Sequence, residues 1–308
     1  MGGVLIGFAI IAVVIGVGYL IGRFDLLGAG ADRVMARLAF FVLTPALLFT
    51  VLAEADVRQL FSQVLPISAA VAGLNIVVYA VVARAVWRRP APETVIGSLA
   101  SGYVNGNNIG LPVSLYVLGD ASSSAPVILL QLVLLAPIAL MILDLTTSGE
   151  VSLRRILLQP VRNPLIIGSL LGLLVAVTGV TLPDAVLAPF ELVGAAAVPV
   201  VLLGFGMSLH GSRPLAPGTE RRDVVLASIL KLAVMPVAAW ALGFYVFGLT
   251  GHTLFVVTVL AALPTAQNVF NYAQRYGRGV VLARDAVLIT TALSVVVLVI
   301  VAALLAPA

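Results

Sequence analysis

Long apolar runs alternate with short polar segments along almost the whole chain, and the apolar runs have the length that a membrane-crossing helix needs. A helix requires about 20 apolar residues to cross the hydrocarbon core of a bilayer. Ten runs of about that length appear when the polar segments are used as boundaries. These runs lie near residues 3–22, 34–53, 60–86, 94–118, 123–147, 164–180, 186–209, 223–248, 253–274 and 284–306. The pattern predicts an all-α polytopic membrane protein with ten transmembrane helices.

The composition agrees with a membrane protein and narrows the chemistry of the side chains. Of the 308 residues, 61% are hydrophobic and 10% are charged, whereas about 25% of the residues in a typical soluble domain are charged. The chain has no cysteine and only two histidines, which excludes disulfides and thiolate metal sites. We therefore expect no metal and no cofactor. The basic residues are spread over short loops and form no patch, so nucleic acid is not an expected partner.

The basic residues are sorted strongly between alternate loops. The loops after spans one, three, five, seven and nine hold three arginines each, which accounts for all the basic residues except Arg58 and Lys231. These fifteen arginines are Arg23, Arg33, Arg37, Arg84, Arg88, Arg89, Arg154, Arg155, Arg162, Arg213, Arg221, Arg222, Arg275, Arg278 and Arg284. Cytoplasmic loops collect Lys and Arg. The sorting therefore predicts a cell-membrane protein with these five loops in the cytoplasm and both termini extracytoplasmic.

Prolines recur at similar spacing in the two halves of the chain. Pro45 and Pro199, in spans two and seven, are 199 − 45 = 154 positions apart. Pro112 and Pro264, in spans four and nine, are 264 − 112 = 152 positions apart. This recurrence predicts an internal repeat of five spans, and an odd number of spans per repeat inverts the second repeat in the membrane. The predicted units are a first repeat, a cytoplasmic connecting loop and a second repeat, at 1–148, 149–163 and 164–308.

Spans four and nine are interrupted by polar residues. Span four contains NGNNIGLPVSLYVLGD, and span nine contains ALPTAQNVFNYAQRYG. A proline leaves a helix carbonyl without its donor, and hydrocarbon cannot satisfy that group, so the break must face protein or a watery cavity. Paired broken helices in two halves indicate a transporter site near the bilayer midplane. The candidate site residues are Asn105, Asn107, Asn108 and Pro112 in span four, and Pro264, Thr265, Gln267, Asn268 and Asn271 in span nine.

Lys231 is a further candidate because it lies inside a span. It follows the start of span eight by about eight residues, or roughly 12 Å at 1.5 Å per residue. An ammonium group at that depth needs a partner, a cavity or a route back to the interface along its own side chain. A site for an organic anion would use such a cation. The alternative for each candidate amide is a hydrogen bond between helices without substrate contact, which is also our interpretation of Asn75 and Gln131.

The motifs NGNNIGLPVSLYVLGD and ALPTAQNVFNYAQRYG resemble the bacterial branch of the auxin efflux carrier family, which includes malonate and malate permeases. The related bile acid and sodium symporter fold shares the pattern. The resemblance implies two broken helices that cross at Pro112 and Pro264, with the substrate beside the crossing. It also implies that spans one, two, six and seven form a scaffold, against which spans three to five and eight to ten move as an elevator. A homodimer formed through the scaffold helices is left open.

Three classes of function can be compared on these features. A secondary transporter or facilitator of a small organic acid anion, such as a mono- or dicarboxylate or an auxin-like weak acid, explains the repeat and the paired breaks. A sodium-coupled symporter of the bile acid type is the alternative, but it would need more carboxylate or amide oxygens beside the crossing. An intramembrane enzyme is a remote alternative, because the sequence has no HExxH or GxSxG motif. We expect no enzymatic activity.

Overall fold

The computed structural model describes residues 2–28, 30–54, 63–147, 163–210, 215 and 220–306. Within these ranges the regular structure is helical, apart from one isolated antiparallel bridge between Val104 and Thr265. The all-α prediction is therefore confirmed for the described residues. The predicted connecting loop at 149–163, except for Asn163, lies outside them. So do Arg58, Arg154, Arg155, Arg162 and Arg213.

The helices follow the predicted apolar runs. In the first half of the chain they are α1 (Gly2–Arg23), α2 (31–53), α3 (Val64–Val86), α4 (Ala91–Gly102), α5 (106–118) and α6 (Ala121–Thr147). In the second half they are α7 (Pro164–Thr178), α8 (184–209, with a turn at Ala196), α9 (Arg221–Val246), α10 (Gly251–Ala262), α11 (Gln267–Tyr276) and α12 (Val280–Leu305). Among the described residues, six helices are long and apolar enough to cross a membrane, namely α2, α3, α6, α8, α9 and α12.

Close contacts between helices occur at glycines, and they recur in the two halves. The helix α1 packs against the Ala197–Leu209 segment of α8, and α7 packs against the Thr44–Ala53 segment of α2. A Cβ atom added at Gly18 would collide with the carbonyl of Leu203, and one added at Gly172 would collide with the carbonyl of Phe49. The two contacts are related by one shift of the chain, because 172 − 18 = 154 and 203 − 49 = 154.

The helices α3 and α9 have matching ends. The last five residues of each form a π-helical segment, Val82–Val86 in α3 and Leu242–Val246 in α9. The start positions of these segments differ by 242 − 82 = 160. The helices that follow, α4 and α10, have 12 residues each, and their first residues differ by 251 − 91 = 160. The same local structure therefore recurs at one offset over these two helices.

Large apolar side chains lie on the outside of the structure as well as in its core. The core is formed around buried residues such as Leu140 and Phe255. Exposed aliphatic side chains include Val13, Leu174 and Leu304, on α1, α7 and α12. A contiguous apolar exterior of this kind is unfavourable in water, whereas a bilayer accommodates it.

Candidate functional site

Two helices are interrupted at extended residues that pair with each other. The helix α4 ends at Gly102, and α5 begins at Gly106. The helix α10 ends at Ala262, and α11 begins at Gln267. Between these ends, Val104 forms an antiparallel bridge with Thr265. We call these two segments, 103–105 and 263–266, the paired interruptions.

Backbone hydrogen bonds connect the paired interruptions. The N–H of Asn105 donates to the carbonyl of Pro264 at 2.7 Å, and the N–H of Ala266 donates to the carbonyl of Tyr103 at 3.0 Å. All of these residues are buried. A buried backbone group away from water needs a partner, so each interruption supplies partners that the other lacks. The pairing explains how two irregular segments are stable inside the helical domain.

Thr265 attaches the paired interruptions to two neighbouring helices. Its hydroxyl donates to the carbonyl of Ala100 at 2.6 Å, near the end of α4. Its N–H donates to the hydroxyl oxygen of Thr290 on α12 at 3.1 Å. The side chain is completely buried. Thr265 is a predicted site residue, and in this structure its hydroxyl and its N–H both form hydrogen bonds within the protein.

Side-chain donors contact the carboxyl ends of α4 and α10. The Lys231 ammonium donates to the carbonyl of Ala261 at 2.8 Å, and the Asn75 amide donates to the carbonyl of Ser101 at 3.0 Å. Asn75 also donates to the carbonyl of Leu230 at 2.8 Å. The two accepting carbonyls are 261 − 101 = 160 positions apart. The last carbonyls of a helix carry partial negative charge and no intrahelical partner, which explains why each end attracts a donor.

Lys231 has no exposed surface in this structure. Besides the Ala261 carbonyl, its ammonium contacts the Met235 sulfur at 3.0 Å. Asn75 is equally buried, and its two hydrogen bonds join α3 to α4 and α9, in agreement with a role between helices. The sequence placed Lys231 inside an apolar helix but could not identify its partner, because the two residues in contact are thirty positions apart and on different helices.

Amide side chains lie at the amino ends of α5 and α11. The Asn105 side-chain oxygen accepts from the N–H of Asn108 at 3.0 Å and thereby caps α5. The first turn of α11 has no side-chain cap, since Ala266 is its N-cap residue. The partly exposed amides around the two amino ends are those of Asn107, Asn108, Gln267 and Asn268. The Asn107 side-chain oxygen is buried and has no hydrogen-bond partner.

Pro112 does not lie at an interruption. It is buried inside α5, between the π-helical segments Gly106–Gly110 and Ser114–Leu118. The expected break at this proline is therefore wrong, and the chain is irregular at 103–105 instead. A proline is tolerated near such π-helical segments because they already depart from the regular α-helical ladder. Pro264, in contrast, lies within its interruption.

The exposed face of α11 is polar. Asn271, Gln274 and Arg275 are exposed, whereas Val269 and Ala273 on the opposite face are buried. This helix packs against α12, α4 and α6. Asn271 lies one turn beyond Gln267 and points away from this packed core. A helix with such a polar face requires water or another polar surface beside it.

A small cavity adjoins the paired interruptions. Its volume of about 10 Å³ is close to the space that one water molecule needs. Gln131 of α6 lines it together with Gly102, Val104 and Ala261. The sequence predicts for Gln131 only a hydrogen bond between helices. The position of Gln131 follows from the packing of α6 beside the interruptions, and no local sequence motif predicts it.

Tyr103 is a second residue that the sequence did not single out for this site. Its side chain is 1% exposed, and its hydroxyl has no hydrogen-bond partner. Asn268 and Tyr272 of α11 are polar neighbours of this hydroxyl, without the geometry of a hydrogen bond. A buried hydroxyl without a partner is unfavourable. Among the described residues, no group of three or more His, Cys, Asp or Glu side chains is arranged to hold a metal ion.

The apolar helices and the paired interruptions define a multi-pass membrane protein of the transporter class. A comparison with protein families matches the family described as membrane transport protein, over residues 4–151 and 146–302. The chain therefore belongs to this family, which includes the auxin efflux carriers. A comparison with curated proteins finds no match. Membership of this family confirms the expectation that the protein is a membrane transporter.

Proposed function

We propose that the protein is a secondary transporter or facilitator that moves a small organic acid anion across the cell membrane. The observation that carries the proposal is the hydrogen-bonded pair of interruptions, with partly exposed amides at the two helix starts beside it. In a chain of a membrane transport family, this geometry matches a substrate site formed by discontinuous helices.

The chemistry of the two amino ends suits an anion. A helix start presents N–H groups and partial positive charge, which stabilise a carboxylate without a formal cation. Asn108 and Gln267 lie at the two starts and are partly exposed. Their amide N–H groups replace water hydrogen bonds when the anion enters. Because such a site has little fixed charge, it binds weakly enough to release the anion on either side.

The recurring contacts support an inverted repeat of five spans. The glycine contacts and the pair Pro45 and Pro199 recur at an offset of 154, and the π-helical ends of α3 and α9 recur at 160. In this proposal α1, α2, α7 and α8 are the scaffold, and the other helices form the transport domain. The start of α5, Gly106–Gly110, contacts the Ala197–Leu209 segment of α8. Asn107 and Asn108 thus lie near the boundary along which an elevator movement would take place, and scaffold helices would also form any homodimer.

Uptake into proteoliposomes tests the proposal. The purified protein is assayed against a panel of labelled mono- and dicarboxylates, with the variants Asn108→Leu and Asn268→Leu. Gln274→Leu is the matched control, because it removes the same type of side chain from the exposed face of α11, six positions beyond Asn268. We expect one class of acid to be transported, with uptake reduced at least tenfold in the two site variants and little changed in the control.

Two results would contradict the proposal. The first is the absence of uptake for every acid by a protein that is folded and correctly inserted. The second is normal transport by both site variants, which would leave the amides with a role between helices only.

A further inference from the structure

An open groove lies where the end of α3 meets the start of α9, and none of its lining residues belongs to the candidate substrate site. Its volume is about 390 Å³, and it is lined by Trp87, Arg221, Arg222, Val225, Leu226 and Ile229. Arg221, Val225 and Ile229 recur every four residues along α9, so they share one helix face. The groove is therefore cationic at one end and apolar along its length.

The two arginines have no acidic partner in the described part of the chain. Both are exposed, and neither forms a salt bridge there. Arg221 donates one hydrogen bond, to the carbonyl of Leu215 at 3.2 Å. The nearby carboxylate of Asp223 is buried and binds the guanidinium of Arg89 and the hydroxyl of Tyr79. It therefore does not neutralise the groove.

We propose that this groove binds an anionic phospholipid. The phosphate contacts Arg221 and Arg222, since a guanidinium group binds phosphate oxygens through two parallel hydrogen bonds. One acyl chain follows Val225 and Ile229, which are 46% and 52% exposed. The eight residues from Arg222 to Ile229 extend about 10 Å along the helix, which is enough to pass from the headgroup region into hydrocarbon.

Two further features favour a lipid as the occupant. Trp87 lines the groove at the end of α3, and tryptophan is enriched at the level of the headgroups. The arginine sorting predicts that this end of the groove faces the cytoplasm, where the membrane leaflet carries anionic lipids. The lipid site is additional to the proposed transport function. Its test measures lipid binding and not uptake, so the lipid proposal and the transport proposal can be contradicted independently.

The experiment compares phosphatidylglycerol with phosphatidylcholine of the same acyl chains. The purified full chain is titrated with each lipid in detergent, and bound lipid is counted by native mass spectrometry while the unfolding temperature is recorded. Arg221→Gln/Arg222→Gln is the test variant. Arg23→Gln/Arg37→Gln is the control, because it removes two exposed arginines, at the end of α1 and near the start of α2, that are predicted to be on the same side of the membrane. Glycerol phosphate and inorganic phosphate are added separately to test the headgroup chemistry without acyl chains.

We expect phosphatidylglycerol to bind and to raise the unfolding temperature more than phosphatidylcholine. The test variant should bind phosphatidylglycerol about thirtyfold more weakly, since each arginine near an anionic surface contributes about a fivefold factor. The control variant should bind as the wild type does. Equal binding by the two variants, no preference for phosphatidylglycerol, or an equal effect of free phosphate would each overturn the proposal.

Discussion

The ammonium of Lys231 lies 2.8 Å from the carbonyl oxygen of Ala261, and no part of the lysine is exposed. The accepting carbonyl belongs to the last turn of α10, directly before the interruption that contains Pro264. A cation at a helix carboxyl end interacts favourably with the helix dipole. Lys231 thus connects α9 to one of the paired interruptions through a buried charge, the kind of group that is rare inside membrane spans and usually functional.

Lys231→Met should reduce anion uptake at least tenfold while changing the unfolding temperature little. Two effects on stability oppose each other: the variant removes a buried charge that has only neutral partners, and it leaves the Ala261 carbonyl without a donor. Each effect amounts to about 1–3 kcal/mol or more. Uptake falls because the last turn of α10, directly before the interruption that contains Pro264, loses its bond to α9. Uptake assays and thermal unfolding on the same preparation measure both quantities, and normal uptake would show that Lys231 has no role in transport.

Asn75→Leu should behave differently, because no charge is removed. The change removes the side-chain donor of the Ser101 carbonyl and one of the two donors of the Leu230 carbonyl, which keeps the backbone N–H of Met235. We expect a loss of about 1–2 kcal/mol in stability, seen as a lower unfolding temperature in detergent. The variant Val77→Leu, at an exposed position of the same helix, is the control. An unchanged unfolding temperature for Asn75→Leu would mean that another donor replaces the amide.

Gly18→Ala should destabilise the packing of α1 on α8, since the added Cβ would collide with the backbone of Leu203. Backbone atoms cannot move aside as a side chain can, so we expect a loss of about 1–3 kcal/mol. Gly16→Ala, two positions away in the same helix, has open space around its Cβ. It should be neutral or stabilise the protein by up to about 1 kcal/mol. Thermal unfolding of both variants tests the contact, and equal effects would contradict it.

The sequence predicted the helices well and the interruption in span four poorly. Hydropathy reports contact with hydrocarbon, so the predicted run 123–147 is close to the observed helix Ala121–Thr147. The interruption at 103–105, in contrast, is stabilised by a partner segment 265 − 104 = 161 positions away. The local sequence predicts a break at Pro112, but a proline ring by itself does not determine where the helix ends. The positions of Gln131 and Tyr103 depend on the same long-range pairing.

Glu220→Gln should stabilise the protein at pH 7.5 and much less near pH 4.5. Burial raises the pKa of the Glu220 carboxyl above its ordinary value of 4.5, and the charge of Asp223 adds to the rise, while Arg89 opposes it. Because the folded-state pKa is raised, the favourable contribution of the protonated group is complete below the ordinary pKa and is lost as the pH rises through the folded-state value. The ionised carboxylate is therefore unfavourable at pH 7.5.

Unfolding temperatures of the wild type and Glu220→Gln at several pH values measure this effect. Glu54→Gln, which changes an exposed carboxylate at the end of α2, controls for the change in net charge. The difference between wild type and Glu220→Gln should decrease steadily as the pH falls. A difference that is independent of pH would mean that the carboxylate of Glu220 does not titrate in a buried environment.

The arginine sorting makes a direct prediction about sidedness. Because the chain has no natural cysteine, single cysteines report their own positions without a background signal. Ser123→Cys lies in the first turn of α6 and Pro183→Cys directly before α8, both on the side predicted to be extracytoplasmic, and Arg88→Cys lies between α3 and α4 on the side predicted to be cytoplasmic. An impermeant thiol reagent added to intact cells should label the first two positions only, and Arg88→Cys should react after the membrane is made permeable. Labelling of Arg88→Cys in intact cells would reverse the predicted topology, and it would also move the proposed lipid groove to the opposite leaflet.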